Sequence, residues 1–202
     1  MMRRCILVML CSVLLAGCGS GTPRVAKLGA SDVVLAFGDS LTYGTGARSE
    51  DSYPVVLGQL IGRTVVRAGV PGEMTAGGLQ RLPGVLDEYQ PRLVIICLGG
   101  NDMLRKVAPA NIEANLREIL QLIKSRGLDV MLIGVPTPGL LTSAPQFYEK
   151  LAQEFRIPYE GKVVTSVLYK AELKSDPIHP NAAGYRKMAE AVAKLLRDAG
   201  AI

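Results

Sequence analysis

The stretch VLAFGDSLTYG, residues 34–44, runs apolar for four residues and then turns sharply polar. Val33 to Phe37 reads as a β-strand without polar alternation, as expected of a parallel strand covered on both faces. Gly38, Asp39 and Ser40 each suit a turn. A plain turn is therefore the simpler reading of this segment alone, and a serine raised at the rim of a sheet is the alternative.

Working outward, the same grammar repeats. Thr64 to Arg67, Leu93 to Leu98 and Val130 to Val135 read as further strands. Tyr53 to Ile61, Gly77 to Tyr89, Asn111 to Lys124 and Ala182 to Ala199 read as helices, as does Ala144 to Phe155. Ile112, Leu116, Ile119, Leu120 and Ile123 form one apolar stripe; Met188, Val192, Leu195 and Leu196 form another. Pro158-Tyr159 opens a short fifth strand. Strands alternating with helices predict an α/β layer structure around a parallel sheet. With 202 residues and 49% hydrophobic content the chain builds one sizeable core, and no repeat marks a second domain. Pro136 to Pro145 reads as an extended loop after the fourth strand.

In an open parallel sheet, ligands bind beyond the carboxyl ends of the strands. Those ends here are Gly38-Asp39-Ser40-Leu41, Ala68-Gly69-Val70-Pro71-Gly72 and Gly99-Gly100-Asn101-Asp102, which should share one crevice. Asp176-Pro177-Ile178-His179-Pro180, ahead of the last helix, holds the only histidine. A lone histidine is commonly structural. This one follows an aspartate by three residues in a proline-stiffened turn, which can aim Asp176 at one ring nitrogen and leave the other for a serine. Gly72, Gly99 and Gly100 could equally be turn glycines, Asn101 a helix cap, and Asp39 and Asp102 structural carboxylates.

Taken in order, these four segments resemble the SGNH, or GDSL, hydrolase superfamily over the whole domain, and in particular its bacterial envelope arylesterase, thioesterase and lysophospholipase members. The resemblance implies a flavodoxin-like three-layer α/β sandwich with a central parallel sheet. It makes Ser40 the nucleophile, His179 the general base and then acid, and Asp176 the group that orients the imidazole. The oxyanion hole would be the backbone N–H of Ser40, that of Gly72 and the side-chain amide of Asn101. Arg67 stands where the family commonly has an asparagine, which puts the packing of the second loop in question.

The N-terminus adds a location. Arg3 and Arg4 precede the apolar run Ile6 to Ala16, too short to span a bilayer as a mature helix. Leu15-Ala16-Gly17-Cys18 resembles a bacterial lipobox, which implies a signal peptide over residues 1–17 and an acylated Cys18. Residues 18–31 are then the lipidated cysteine and a flexible tether, and 32–202 the hydrolase domain. The expected place is the bacterial cell envelope, lipid-anchored to the periplasmic side of the outer membrane. Loss of the leader removes Cys5 and Cys11, leaving Cys97 as a buried core thiol with no disulfide partner. It also lowers the formal charge of +5 by two. No dense basic block supports nucleic-acid binding. One histidine and no cysteine cluster provide no metal ligand set, and no cofactor is expected. Nothing in the sequence sets an oligomeric state.

The leading function is hydrolysis of acyl esters or thioesters, with a small-molecule or lipid ester as substrate. The alternatives are an O-acetyl esterase acting on cell-wall or exopolysaccharide sugars, and a noncatalytic envelope lipoprotein. Met74, Met103, Leu104, Val107, Leu140 and Leu141 suit an acyl chain better than a stacked sugar ring.

Overall fold

The computed structural model describes residues 21–139 and 143–202. The leader, Cys18, Leu140 and Leu141 lie outside the described residues. Strands β1 (Val33–Gly38), β2 (Thr64–Gly69), β3 (Leu93–Cys97), β4 (Asp129–Ile133) and β5 (Tyr159–Glu160) form one sheet in the order β2-β1-β3-β4-β5. Every pairing is parallel. This is the flavodoxin-like order, whose switch point lies between β1 and β3.

Eight helices accompany the described strands: α1 (Ser40–Tyr43), α2 (Tyr53–Ile61), α3 (Thr75–Tyr89), α4 (Gly100–Leu104), α5 (Pro109–Ser125), α6 (Gln146–Phe155), α7 (Val163–Tyr169) and α8 (Ala182–Asp198). Helix α8 packs on α2 and α7, while α5 packs on α3 and α6, so the sheet is sandwiched between two helical layers. The five apolar residues expected on α5 are all buried, as are the four expected on α8. Cys97 is buried and free.

Differences from the sequence reading trace to tertiary contacts. Helix α3 begins two residues early because Asp102 accepts hydrogen bonds from the Thr75 N–H at 2.9 Å and the Thr75 hydroxyl at 2.6 Å. Helix α7 was not expected: Val163, Val164 and Val167 are poor helix formers, but they and Leu168 are buried. Glu160 starts it by accepting from the Lys162 and Val163 N–H groups, both at 2.8 Å. The span 18–31, expected as a flexible tether, is packed against the domain over part of its described length. Leu28 is buried, and the Val25 and Leu28 N–H groups donate to the Ala199 and Ala201 carbonyls at 3.1 and 2.8 Å. The packed unit therefore starts ahead of residue 32.

Register brings the strand ends level, with Gly38 opposite both Gly69 and Cys97. A Cβ at Gly38 would lie 2.1 Å from the Cys97 carbonyl oxygen and 2.4 Å from the Thr42 hydroxyl. Only glycine lets β1 end this close to β3.

Candidate active site

Ser40 is the first residue of α1, the single turn that follows β1. Asp39, just before it, is buried and accepts the Leu41 N–H at 3.0 Å. This caps the turn and leaves the serine at the rim. At the other end of α1, the Arg67 guanidinium donates to the Tyr43 carbonyl at 2.7 Å and lies 4.9 Å from the centre of the Tyr43 ring. The arginine thus holds the last carbonyl of the serine-bearing turn, a role its position on β2 did not reveal.

The Asp176–His179 segment closes over Ser40 from the far side. His179 Nε2 lies 3.0 Å from Ser40 Oγ, and His179 Nδ1 lies 2.7 Å from Asp176 Oδ2. Asp176 Oδ1 accepts the Ile178 and His179 N–H groups at 2.8 and 2.9 Å, which fixes the turn. Burial alone pushes the Asp176 carboxyl up. The hydrogen bonds from the His179 ring and from these two N–H groups outweigh it and hold the carboxyl below its ordinary value of 3.8. Serine, imidazole and carboxylate in this sequence can move a proton from the hydroxyl and steady the imidazolium that results.

Asn101 enters from α4. Its Nδ2 donates to the Glu73 carbonyl at 3.0 Å and contacts Asp39 Oδ2 at 3.3 Å. Gly72 occupies the turn after β2, one residue before Glu73, with φ +79°, a left-handed conformation that favours glycine. A Cβ there would meet nothing within 4 Å, so the requirement is conformational rather than steric. Among the described residues, the N–H groups of Ser40 and Gly72 have no hydrogen-bond acceptor. The Glu73 carboxylate, invisible to motif reading, pairs with Arg81 at 2.6 and 2.8 Å beneath this turn.

Asp39 carries the largest electrostatic strain of the site. Burial, then the nearby Glu73 and Asp102 carboxylates, push its carboxyl from 3.8 up to about 7, against the lowering effect of the Leu41 N–H. It caps α1 and touches Asn101 rather than Ser40, in keeping with a structural carboxylate. Asp102 likewise serves the start of α3.

An open cavity beside Ser40, His179 and Asn101 encloses about 30 Å³. Its apolar wall comes from Leu41, Leu104, Val135, Pro136, Leu168 and Ile178. Of the described residues expected to meet an acyl chain, only Leu104 lines it; Met74, Met103 and Val107 do not, and neither does Gly72. Leu168 was missed because α7 was missed. Among the described residues no group of three potential metal ligands occurs, and no helix is long and apolar enough to cross a membrane.

A family model described as the GDSL-like lipase/acylhydrolase family matches residues 36–187. The chain is 33% identical over 179 residues to thioesterase 1/protease 1/lysophospholipase L1 of Escherichia coli (strain K12), covering 85% of this chain and 86% of that one. It is 34% identical over 180 residues to an arylesterase of Vibrio mimicus, covering 83% and 89%. The crystal structure of AlinE4, an SGNH-hydrolase family esterase, matches with a TM-score of 0.65 at 32% identity, covering 86% of this chain and 98% of that one. With the parallel sheet and these likenesses together, the chain belongs to the GDSL-like lipase/acylhydrolase family and is an esterase of the SGNH type.

Proposed function

We propose that the protein cleaves carboxylic esters or thioesters of acyl chains through an acyl-enzyme on Ser40. The observation that carries this reading is the contact chain Ser40 Oγ to His179 Nε2 at 3.0 Å and His179 Nδ1 to Asp176 Oδ2 at 2.7 Å, opening onto an apolar cavity. His179 takes the hydroxyl proton as Ser40 Oγ bonds to the acyl carbon. It returns that proton to the departing alcohol or thiol as the tetrahedral intermediate collapses. Water repeats the sequence on the acyl-enzyme, giving the free acid and restoring Ser40.

The N–H groups of Ser40 and Gly72 and the Asn101 amide form the oxyanion hole. Asn101 keeps its 3.0 Å bond to the Glu73 carbonyl and exchanges its longer contact with Asp39 for the oxyanion. The Glu73 carbonyl thereby positions the donor.

The cavity is open, so an acyl chain can extend from it along the groove. The second reading, removal of O-acetyl groups from sugars, is the poorer fit, because the apolar wall offers no aromatic ring to stack a sugar. We infer from the lipobox-like Leu15-Ala16-Gly17-Cys18 segment that the enzyme resides in the bacterial envelope, anchored through acylated Cys18 to the periplasmic side of the outer membrane.

A panel of p-nitrophenyl esters from acetate to palmitate, with an acyl thioester, a lysophospholipid and an acetylated sugar, tests this. Turnover of the acyl esters or the thioester should exceed that of the acetylated sugar. Activity confined to the acetylated sugar favours the second reading; no turnover of any ester rejects both.

A further inference from the structure

The turn that offers the Gly72 N–H is closed by Glu73. The Glu73 N–H donates to the Val70 carbonyl at 3.1 Å, with Pro71 and Gly72 between them and Gly72 at φ +79°, the arrangement of a type II turn. The Glu73 carbonyl accepts Asn101 Nδ2 at 3.0 Å. The peptide groups of one residue therefore fix both the Gly72 turn and the Asn101 amide.

Any residue supplies an N–H and a carbonyl, so the question is what holds this one in place. Val70, Pro71 and Gly72 are exposed, and the turn gains little from core packing. The Val70 N–H ties its start to the Gly38 carbonyl at 3.0 Å. Its other end is held by the Glu73 side chain, only 8% of which is exposed. Arg81, on α3, donates from Nε to Glu73 Oε1 at 2.8 Å and from Nη2 to Oε2 at 2.6 Å. A guanidinium and a carboxylate joined at two points fix each other's orientation as well as their separation. Arg81 Nη2 also donates to the Ala68 carbonyl of β2 at 3.2 Å, and the guanidinium carbon lies 4.1 Å from the centre of the ring of Phe37, next to last in β1. Arg81 thus joins the turn to the ends of the two strands that lead to Ser40 and Gly72.

We propose that Arg81 is a positioning residue for the oxyanion hole: its two-point hold on the Glu73 carboxylate sets the Gly72 N–H and, through the Glu73 carbonyl, the Asn101 amide. This rests on the Ser40 and oxyanion-hole readings given above. Neither Arg81 nor Glu73 lines the cavity, so opening the pair leaves ground-state binding of the substrate alone. It moves donors that act on charge appearing in the transition state, and the loss falls on kcat.

Glu73→Ala, Arg81→Ala and the double variant are compared with the wild type on one p-nitrophenyl ester. Glu73 also acts by charge on Asp39, a second route to Asn101, so the assays run at about pH 8.5, above the value of about 7 for Asp39. Thermal unfolding identifies the variants that are folded at the assay temperature. Each single variant should lower kcat about tenfold with KM changed by less than about twofold. Affinity for phenylboronic acid, whose tetrahedral adduct on Ser40 places a charged oxygen among the donors, should fall by a similar factor. The double variant should lose no more than the worse single one, because removing either partner already opens the pair. Arg81→Ala also takes the cation off Phe37 and the bond off Ala68, whereas Glu73→Ala does neither, so equal losses trace the effect to the pair. Glu73→Gln keeps the side-chain volume and one acceptor; its kcat should fall by less than the alanine variants, and it carries the test where an alanine variant does not fold. Asn101→Ala in the same assay separates premise from proposal: an unchanged kcat there ends the oxyanion-hole reading and the proposal with it. If Asn101→Ala lowers kcat while the folded Arg81 and Glu73 variants stay within about twofold of the wild type, lose activity through KM alone, or multiply their losses in the double variant, the proposal is overturned.

Discussion

Asp39→Asn should alter how stability depends on pH, by an amount set by the surroundings of the carboxyl. Asp39 is buried, with Glu73 and Asp102 nearby, and its carboxyl is pushed from 3.8 up to about 7. Between those values the folded protein holds a proton that the unfolded chain has released, so stability falls as pH rises and levels off above the folded value. At about 1.4 kcal/mol per pH unit, the rise from 3.8 to about 7 amounts to about 4 kcal/mol. Asparagine does not titrate and still caps α1 by accepting the Leu41 N–H. The stability of Asp39→Asn relative to wild type should therefore increase by about 3 kcal/mol from pH 5 to pH 8. Urea unfolding of both proteins across that range measures it, and the comparison cancels the titration of other groups. A difference constant to within about 0.5 kcal/mol would refute the assignment of Asp39 as a strained, buried carboxyl.

Three further substitutions separate roles at the rim. Asn101→Ala should lower kcat by about 10²-fold or more with KM nearly unchanged, because its amide acts on charge that appears in the transition state; a rise confined to KM contradicts this. Asp176→Asn should reduce kcat by about 10³-fold without unfolding the protein, since the amide supports the wrong imidazole tautomer, and near-native turnover in a folded variant would sink the triad. Arg67→Ala removes the bond to the Tyr43 carbonyl and should cost about fivefold in kcat, partly restored in Arg67→Lys; thermal unfolding of the same variants distinguishes lost positioning from lost folding.

Much of this was legible in sequence because strand and helix periods are local. The apolar runs at Val33, Leu93 and Val130 and the stripes on α5 and α8 needed only their own residues to be read, and the strand order places Ser40 and Asn101 at the β1/β3 switch point. Helix α7 was illegible because its valines favour strands, and only burial against α8 and the Glu160 cap make it helical. Leu168 was therefore missing from the expected acyl-facing surface, and Ile178 was missing because its segment was read only for Asp176 and His179. The Glu73 carbonyl left no trace because any residue supplies one; it matters only through its 3.0 Å distance from Asn101. Arg67 looked like a fault in the second motif, and its reach across to Tyr43 becomes visible only when β1 and β2 are paired.

The central claim is that Ser40 carries the acyl group. Incubating the folded protein with a fluorophosphonate, digesting it and sequencing the labelled peptide by mass spectrometry tests this directly. One adduct per chain on Ser40 is predicted, with loss of esterase activity in step with labelling and no labelling of Ser40→Ala. An adduct on another serine, or active protein that takes up no probe, contradicts the account.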